Sequence, residues 1–159
     1  MNEERGIGKT IDAVNKKYFT KKKWNLETLV IDGNSKDNTR EIATSKGAQV
    51  ILEARKGYGR AYKTGLAHAT GDIIVTGDAD ATYPFNTIHE YIQMMINEHL
   101  DFITTNRFAA LKHDSMSLKH RFGNLTLAWT LRTLFLVNIR DSQSGMWIIK
   151  RDTLSKIQP

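Results

Sequence analysis

Apolar positions along this chain follow two rhythms. Short aliphatic runs, Leu29–Ile31, Gln49–Leu52, Ile73–Thr76 and Phe102–Thr105, are bounded by turn-forming residues and have the length of strands. Between them lie stretches with helical spacing. Ile7, Ile11 and Val14 mark a loose helix within Glu4–Tyr18, followed by a lysine-rich loop, KKKW, that leads into the first strand. The run DGNSKDNT is made of residues that bond their own backbone, so it predicts a turn and a helix starting near Thr39, covering Arg40–Lys46 and ending at Gly47. A glycine-containing loop, EARKGYGR, precedes a helix over Ala61–Ala69, and Pro84 introduces one through Ile88–Glu98. Strands alternating with helices predict an α/β sandwich with a mostly parallel sheet.

Composition adds limits to this pattern. The 159 residues suffice for one domain, 1–159, with a real core, and 40 % are apolar with only 2 Pro, as in a folded globular chain. Lys and Arg number 23 against 17 Asp and Glu, so the formal charge of +6 favours anionic partners. The lack of cysteine removes disulfides, thiolate catalysis and Cys-ligated zinc. The opening MNEERGIGKTIDAV is charged and does not read as a secretory signal. The longest apolar-rich run, Leu125–Val137, is interrupted by Arg132 and is shorter than the ~20 residues of a bilayer span. It reads as a buried helix or, with Trp129, Phe135 and the basic residues around it, as part of an interfacial region over 118–137.

In open α/β sheets ligands bind beyond the carboxyl ends of the strands. There the chain places Asp32, the basic stretch Arg55–Gly59, the pair Asp78 and Asp80, and Arg107. Two carboxylates separated by one alanine repel unless something cationic joins them. Mg2+ or Mn2+ takes oxygen ligands and leaves positions for phosphate oxygens, so two carboxylates suffice. Taken alone, Asp-Ala-Asp is equally a solvated turn.

Several stretches together change that balance: NEERGIGKTI (2–11), VIDGNSKDNT (30–39), RKGYGRAYKTGLAHATGDIIVTGDADATYP (55–84), NRF (106–108), HRFGN (120–124) and DSQSGMW (141–147). In this order the chain resembles the family 2 glycosyltransferases of GT-A fold, and within them the dolichyl-phosphate hexose synthase branch. The resemblance covers nearly the whole chain. Members of that family carry an apolar strand before the Asn-Glu-Glu and further structure after the Asp-Ser-Gln-Ser-Gly region, so the expectation is a three-layer GT-A domain lacking its first strand, a fragment at both ends.

What the resemblance implies can be stated by residue. Asp78 and Asp80 match the metal-binding D-x-D, with Thr82 and Tyr83 as donor-side neighbours. Asp32 and Glu3 match nucleotide-side acids, and Arg55, Lys56 and Arg60 match a basic loop before a helix that favours phosphate. Arg107 and Arg121 match arginines that hold the acceptor phosphate, with Asn124 beside them and Asp141 flanking the site; guanidinium suits this through paired, charge-assisted bonds. Turn formation for Asp32 and ion pairing for the arginines are the structural alternatives. The implied reaction is metal-dependent, inverting transfer of a hexose from UDP-glucose, UDP-N-acetylglucosamine or GDP-mannose to a polyprenyl phosphate. Asp78, Asp80, Arg107 and Arg121 would be its catalytic groups, and the form DADATYP leans toward the UDP branch. An acceptor phosphate is already ionised at neutral pH, so no general base is required, and His113 and His120 read as bystanders. The setting implied is the cytoplasmic face of a membrane, with peripheral attachment and no nucleic-acid partner. A transferase acting on a saccharide hydroxyl and a non-catalytic nucleotide-binding module are the alternatives.

Overall fold

The structure is a computed structural model and describes residues 1–105 and 144–157. Side-chain alternation along the strands decides its layering. In β1 (Leu29–Asp32) Leu29 and Ile31 take one face and Val30 and Asp32 the other. Val30 and Val50 of β2 (Gln49–Leu52) pack with Ile7 and Ile11 of α1 (Ile7–Ala13) and Ala43 of α3 (Thr39–Ser45). On the opposite face Leu29 meets Leu66 of α4 (Tyr58–His68) and Ala69 just after it. Gly65 of α4 lies so close to β1 that an added Cβ would stand 3.1 Å from Ile31.

β1 and β2 pair in parallel, Leu29 opposite Gln49 and Asp32 opposite Leu52. A second sheet has the order β3-β5-β4, from β3 (Ile73–Val75), β4 (Phe102–Thr104) and β5 (Trp147–Lys150). Its two faces are again divided by alternation. Ile74 and Ile149 turn toward Ala69 and toward Leu154 of α6 (Arg151–Ile157). Ile148 turns toward Phe19 of α2 (Lys16–Lys21) and toward Ile88, Ile92 and Met95 of α5 (Ile88–Asn97), a cluster that forms the largest apolar core. Helices on both faces of strand layers give the expected α/β sandwich.

Differences from the sequence reading have local causes. The stretch read as one helix over Glu4–Tyr18 divides at Val14, because Asn15 caps a new helix by accepting from the Tyr18 amide at 3.2 Å. That helix, α2, runs into the lysines expected as loop. α4 begins at Tyr58 rather than Ala61, since Gly57, at φ +133°, makes the turn and frees Gly59 to be helical. Strand β5 pairs antiparallel with both β3 and β4, in the registers Ile74 to Ile149 and Ile103 to Ile148, where a mostly parallel order was expected. A four-residue apolar run announces a strand but not its direction or its neighbours.

The amino-terminal residues are held by the turn after β1. The Asn2 amide donates to Ser35 Oγ, the Glu3 amide to Thr39 Oγ1 and the Glu4 amide to Asp37 Oδ2, at 2.9, 2.8 and 3.1 Å. The Asn2 side chain in turn accepts from the Lys36 amide at 2.9 Å.

Candidate functional site

The chain leaves β3 through Thr76 and Gly77 into the turn Asp78-Ala79-Asp80-Ala81. An added Cβ at Gly77 would stand 2.7 Å from the Phe85 ring, so the turn is packed from below. Ala81 adopts φ +64°, a conformation that costs a non-glycine residue energy and needs support. Thr10 of α1 supplies it: its hydroxyl oxygen accepts from the Ala81 amide at 3.1 Å and donates toward the Ala79 carbonyl at 3.2 Å. Gly6, just ahead of α1, approaches so closely that a Cβ there would lie 2.6 Å from the Ala79 oxygen and 2.8 Å from Asp80 Cα. Gly6 and Thr10 were missed as site residues in the sequence. Their only signal was a glycine and a threonine spaced one helical turn apart.

Each aspartate of the turn has one oxygen committed within the chain. Asp80 Oδ1 accepts from the Thr82 amide and hydroxyl at 3.0 and 2.7 Å. Asp78 Oδ1 accepts from the Tyr58 hydroxyl at 2.9 Å, which brings the first residue of α4 to the acid pair. Tyr58 Oη lies 2.8 Å from Tyr62 Oη, Tyr62 donates to the Gly145 carbonyl at 2.7 Å, and the Gly145 amide donates to Tyr83 Oη at 2.7 Å. Both Tyr58 and Tyr62 are shifted above the usual tyrosine pKa, first by burial of the hydroxyl end, and both stay protonated at neutral pH. Tyr58 as a residue is 62 % exposed, while its hydroxyl lies among Tyr62, Asp78 and Gly145.

The basic loop before α4 divides in function. Arg55 is bound by Glu53, with Nε at 2.7 Å and a terminal nitrogen at 2.6 Å from its two oxygens, and Thr64 Oγ1 also donates to Glu53. These bonds, Arg55 first and Thr64 next, hold the Glu53 carboxyl well below the usual carboxylate range. Lys56 and Arg60 are exposed, with no carboxylate of the described residues in ion-pair contact. They flank the start of α4 in sequence, Lys56 two residues before Tyr58 and Arg60 in the first turn.

Asp32 is only 2 % exposed. Ser35 donates to both its oxygens, from the amide at 2.9 Å and from the hydroxyl, and Arg40 Nε stands 3.9 Å away. In this state it closes the turn after β1. Glu3 sits beside that turn, half-buried. Arg107, Arg121, Asn124 and Asp141, and the interfacial region 118–137, lie outside the described residues. Among the described residues no helix is long and apolar enough to cross a membrane.

The donor set of the turn can be tested against a divalent cation. Among the described residues no group of three or more His, Cys, Asp or Glu is placed to hold a metal unaided. Asp78 and Asp80 each keep one carboxylate oxygen without a bond to a described residue. Two hard oxygen donors on an exposed turn fit Mg2+ or Mn2+ whose remaining positions are filled by phosphate oxygens and water.

Comparison with known proteins bears on the family and the fold. The model of glycosyl transferase family 2 matches residues 1–157. A low-salt glycan biosynthesis hexosyltransferase of Haloferax volcanii is 33 % identical over 154 residues, 96 % of this chain and 37 % of that protein. A dolichyl-phosphate hexose transferase of the same organism is 29 % identical over 157 residues, 99 % of this chain and 66 % of its own length. Glucosyl-3-phosphoglycerate synthase of Mycobacterium tuberculosis, solved with Mn2+, UDP-glucose and phosphoglyceric acid, superimposes with a TM-score of 0.72 at 24 % identity, over 98 % of this chain and 55 % of that one. The shared fold is GT-A. The chain thus spans between about a third and two thirds of the proteins it matches.

Proposed function

Because the chain belongs to glycosyl transferase family 2, we propose that the edge carrying Asp78 and Asp80 takes a nucleotide-diphosphate sugar with Mg2+ or Mn2+ and passes its hexose, with inversion, to a polyprenyl phosphate at a membrane surface. The observation that carries the reading is the Tyr58–Asp78 contact, which brings an acid pair to a helix amino terminus flanked by Lys56 and Arg60. A diphosphate needs both kinds of partner at once, and helix amides, lysine and arginine favour the phosphate oxygens that a cation does not reach. The donor class draws on the Mn2+ and UDP-glucose of the mycobacterial synthase with this fold, and the acceptor class on the similarity to the dolichyl-phosphate hexose transferase of Haloferax volcanii.

In this reading Asp78 and Asp80 hold the cation. When bound, it neutralises charge developing on the leaving diphosphate. The chain's own residues orient the reactants: Thr82 fixes the Asp80 carboxylate, Lys56 and Arg60 hold phosphate, and Glu3, beside the turn that the buried Asp32 closes, lines the nucleoside side of the same edge. Arg107 and Arg121, with Asn124, receive the acceptor phosphate, whose ionised oxygen attacks the anomeric carbon as the bond to the diphosphate breaks. UDP and GDP titrated by calorimetry into the chain, with and without Mn2+, test the donor half. Binding strengthened by Mn2+ is expected, and the strengthening is lost in Asp80→Ala. Equal binding with and without the cation would refute the reading.

A further inference from the structure

Three tyrosine hydroxyls converge on one glycine. A Cβ at Gly145 would lie 2.5 Å from the Tyr58 hydroxyl, 2.7 Å from that of Tyr62 and 3.2 Å from that of Tyr83, so only glycine admits the cluster. Through it three separate parts of the chain meet: the first turn of α4, the turn after β3, and the segment entering β5. Thr76 strengthens the junction by donating to the Gly145 carbonyl at 2.9 Å and accepting from the Trp147 amide at 3.1 Å. Tyr58 is 62 % exposed, with its ring centroid 4.8 Å from that of Tyr62, and its hydroxyl is the part that reaches the acid pair.

The proton count shows what that task is. Tyr58 and Tyr62 bring two hydroxyl protons to three short oxygen contacts: Asp78 Oδ1 with Tyr58, Tyr58 with Tyr62, and Tyr62 with the Gly145 carbonyl. One contact must lack a proton. A bond to an ionised carboxylate is about twice as strong as a neutral one, so the Tyr58 proton goes to Asp78. Tyr62 and Thr76 are then left to serve Tyr58 and the Gly145 carbonyl between them.

We propose that Tyr58 is a positioning residue of the cation site: its hydroxyl fixes one oxygen of Asp78 and leaves the other for the cation, while Tyr62 packs against Tyr58 and steadies it. The inference rests on the donor-site reading above. Partners of this kind, bonded to a ligating group and not to the ion, are worth about 10- to 100-fold in metal affinity. The acid turn and the segment before β5 are joined by the Gly145 amide on Tyr83 and by the Thr76 hydroxyl on the Gly145 carbonyl.

The test compares UDP affinity at fixed Mn2+ with UDP affinity without cation, in the full chain and in Tyr58→Phe and Tyr62→Phe, alongside thermal melts. Tyr58→Phe is expected to cut the Mn2+-dependent gain by about tenfold or more, with cation-free UDP binding and melting temperature unchanged. Tyr62→Phe should act in the same direction by a smaller factor. A full gain retained in Tyr58→Phe overturns the proposal, and a gain larger than wild type overturns it in favour of a tyrosine that competes with the cation. A wild-type chain showing no Mn2+-dependent gain removes the donor-site reading itself, and the positioning role with it.

Discussion

Two acidic turns lie beyond strands β1 and β3, and they treat their carboxylates in opposite ways. Asp32 is buried, with both oxygens bonded by Ser35 and a guanidinium nearby. Asp78, half-buried, and Asp80, exposed, lie on the turn after β3, each held by one oxygen only. A fully bonded buried carboxylate serves stability, because removing it strands the donors that faced it. A half-bonded exposed one is held in place yet able to take a ligand. The difference separates the Asp32 turn from the proposed site more clearly than the residue type does.

The contrast is broken most severely at Asp32. Asp32→Ala leaves the buried Ser35 amide and hydroxyl without their acceptor, so we expect a loss of about 2–3 kcal/mol in urea denaturation. Asp80→Ala removes an exposed group, so its stability stays within about 1 kcal/mol of wild type while Mn2+-dependent nucleotide binding disappears. If Asp32→Ala melts like wild type but loses nucleotide binding, the two turns are alike and the assignment of Asp32 to the scaffold fails.

A smaller effect is expected beneath the open turn. Gly6→Ala drives a methyl against backbone atoms of Ala79 and Asp80, which have no rotamer to yield. Overpacking of this kind costs about 1–3 kcal/mol, and because the strain falls on the turn itself, Mn2+-dependent UDP binding should weaken too. Stability loss without any change in binding would mean that α1 supports the fold and not the site.

The smallest effect concerns Glu53, the other satisfied acid, 6 % exposed. Its carboxyl titrates well below its ordinary value because of Arg55 and Thr64. A depressed folded pKa gives stability that is fully present above the unfolded value of about 4.3 and is lost as pH falls below it toward the folded value. Wild type should therefore lose more stability than Glu53→Gln between pH 6 and pH 3, read as the difference in melting temperature at the two pH values. Parallel losses would show that the Glu53–Arg55 pair contributes nothing to folding.

Much of this could be read from the chain alone. β2 has its expected bounds, β1 and α3 fall within a residue of theirs, and the turn of Asp78 and Asp80 lies where the strand ending near Thr76 placed it. Asp32 was read at once as a nucleotide ligand and as a turn former, and only its burial shows which way the carboxylate faces. Arg55 looked like one of three phosphate-facing cations, yet Glu53, two residues before it, binds it. Gly6, Thr10, Tyr58 and Gly145 carried no chemical signature that marked them as neighbours of the acid pair.

The physical reason is range. Strand runs, helix caps and the Asp-Ala-Asp turn are written in interactions between residues a few positions apart, which pattern and propensity record directly. The sequence by itself determined those elements and the kind of chemistry their ends could carry. Asp32 and Glu53 are closed by residues two or three positions away, but what holds the Asp-Ala-Asp turn in place was decided by contacts spanning 20 residues from Tyr58 to Asp78, 69 from Thr10 to Ala79 and 83 from Tyr62 to Gly145. Those partners meet only because α1 and α4 are packed on opposite faces of the strand layer. That packing comes from burial of apolar faces, which no local pattern specifies.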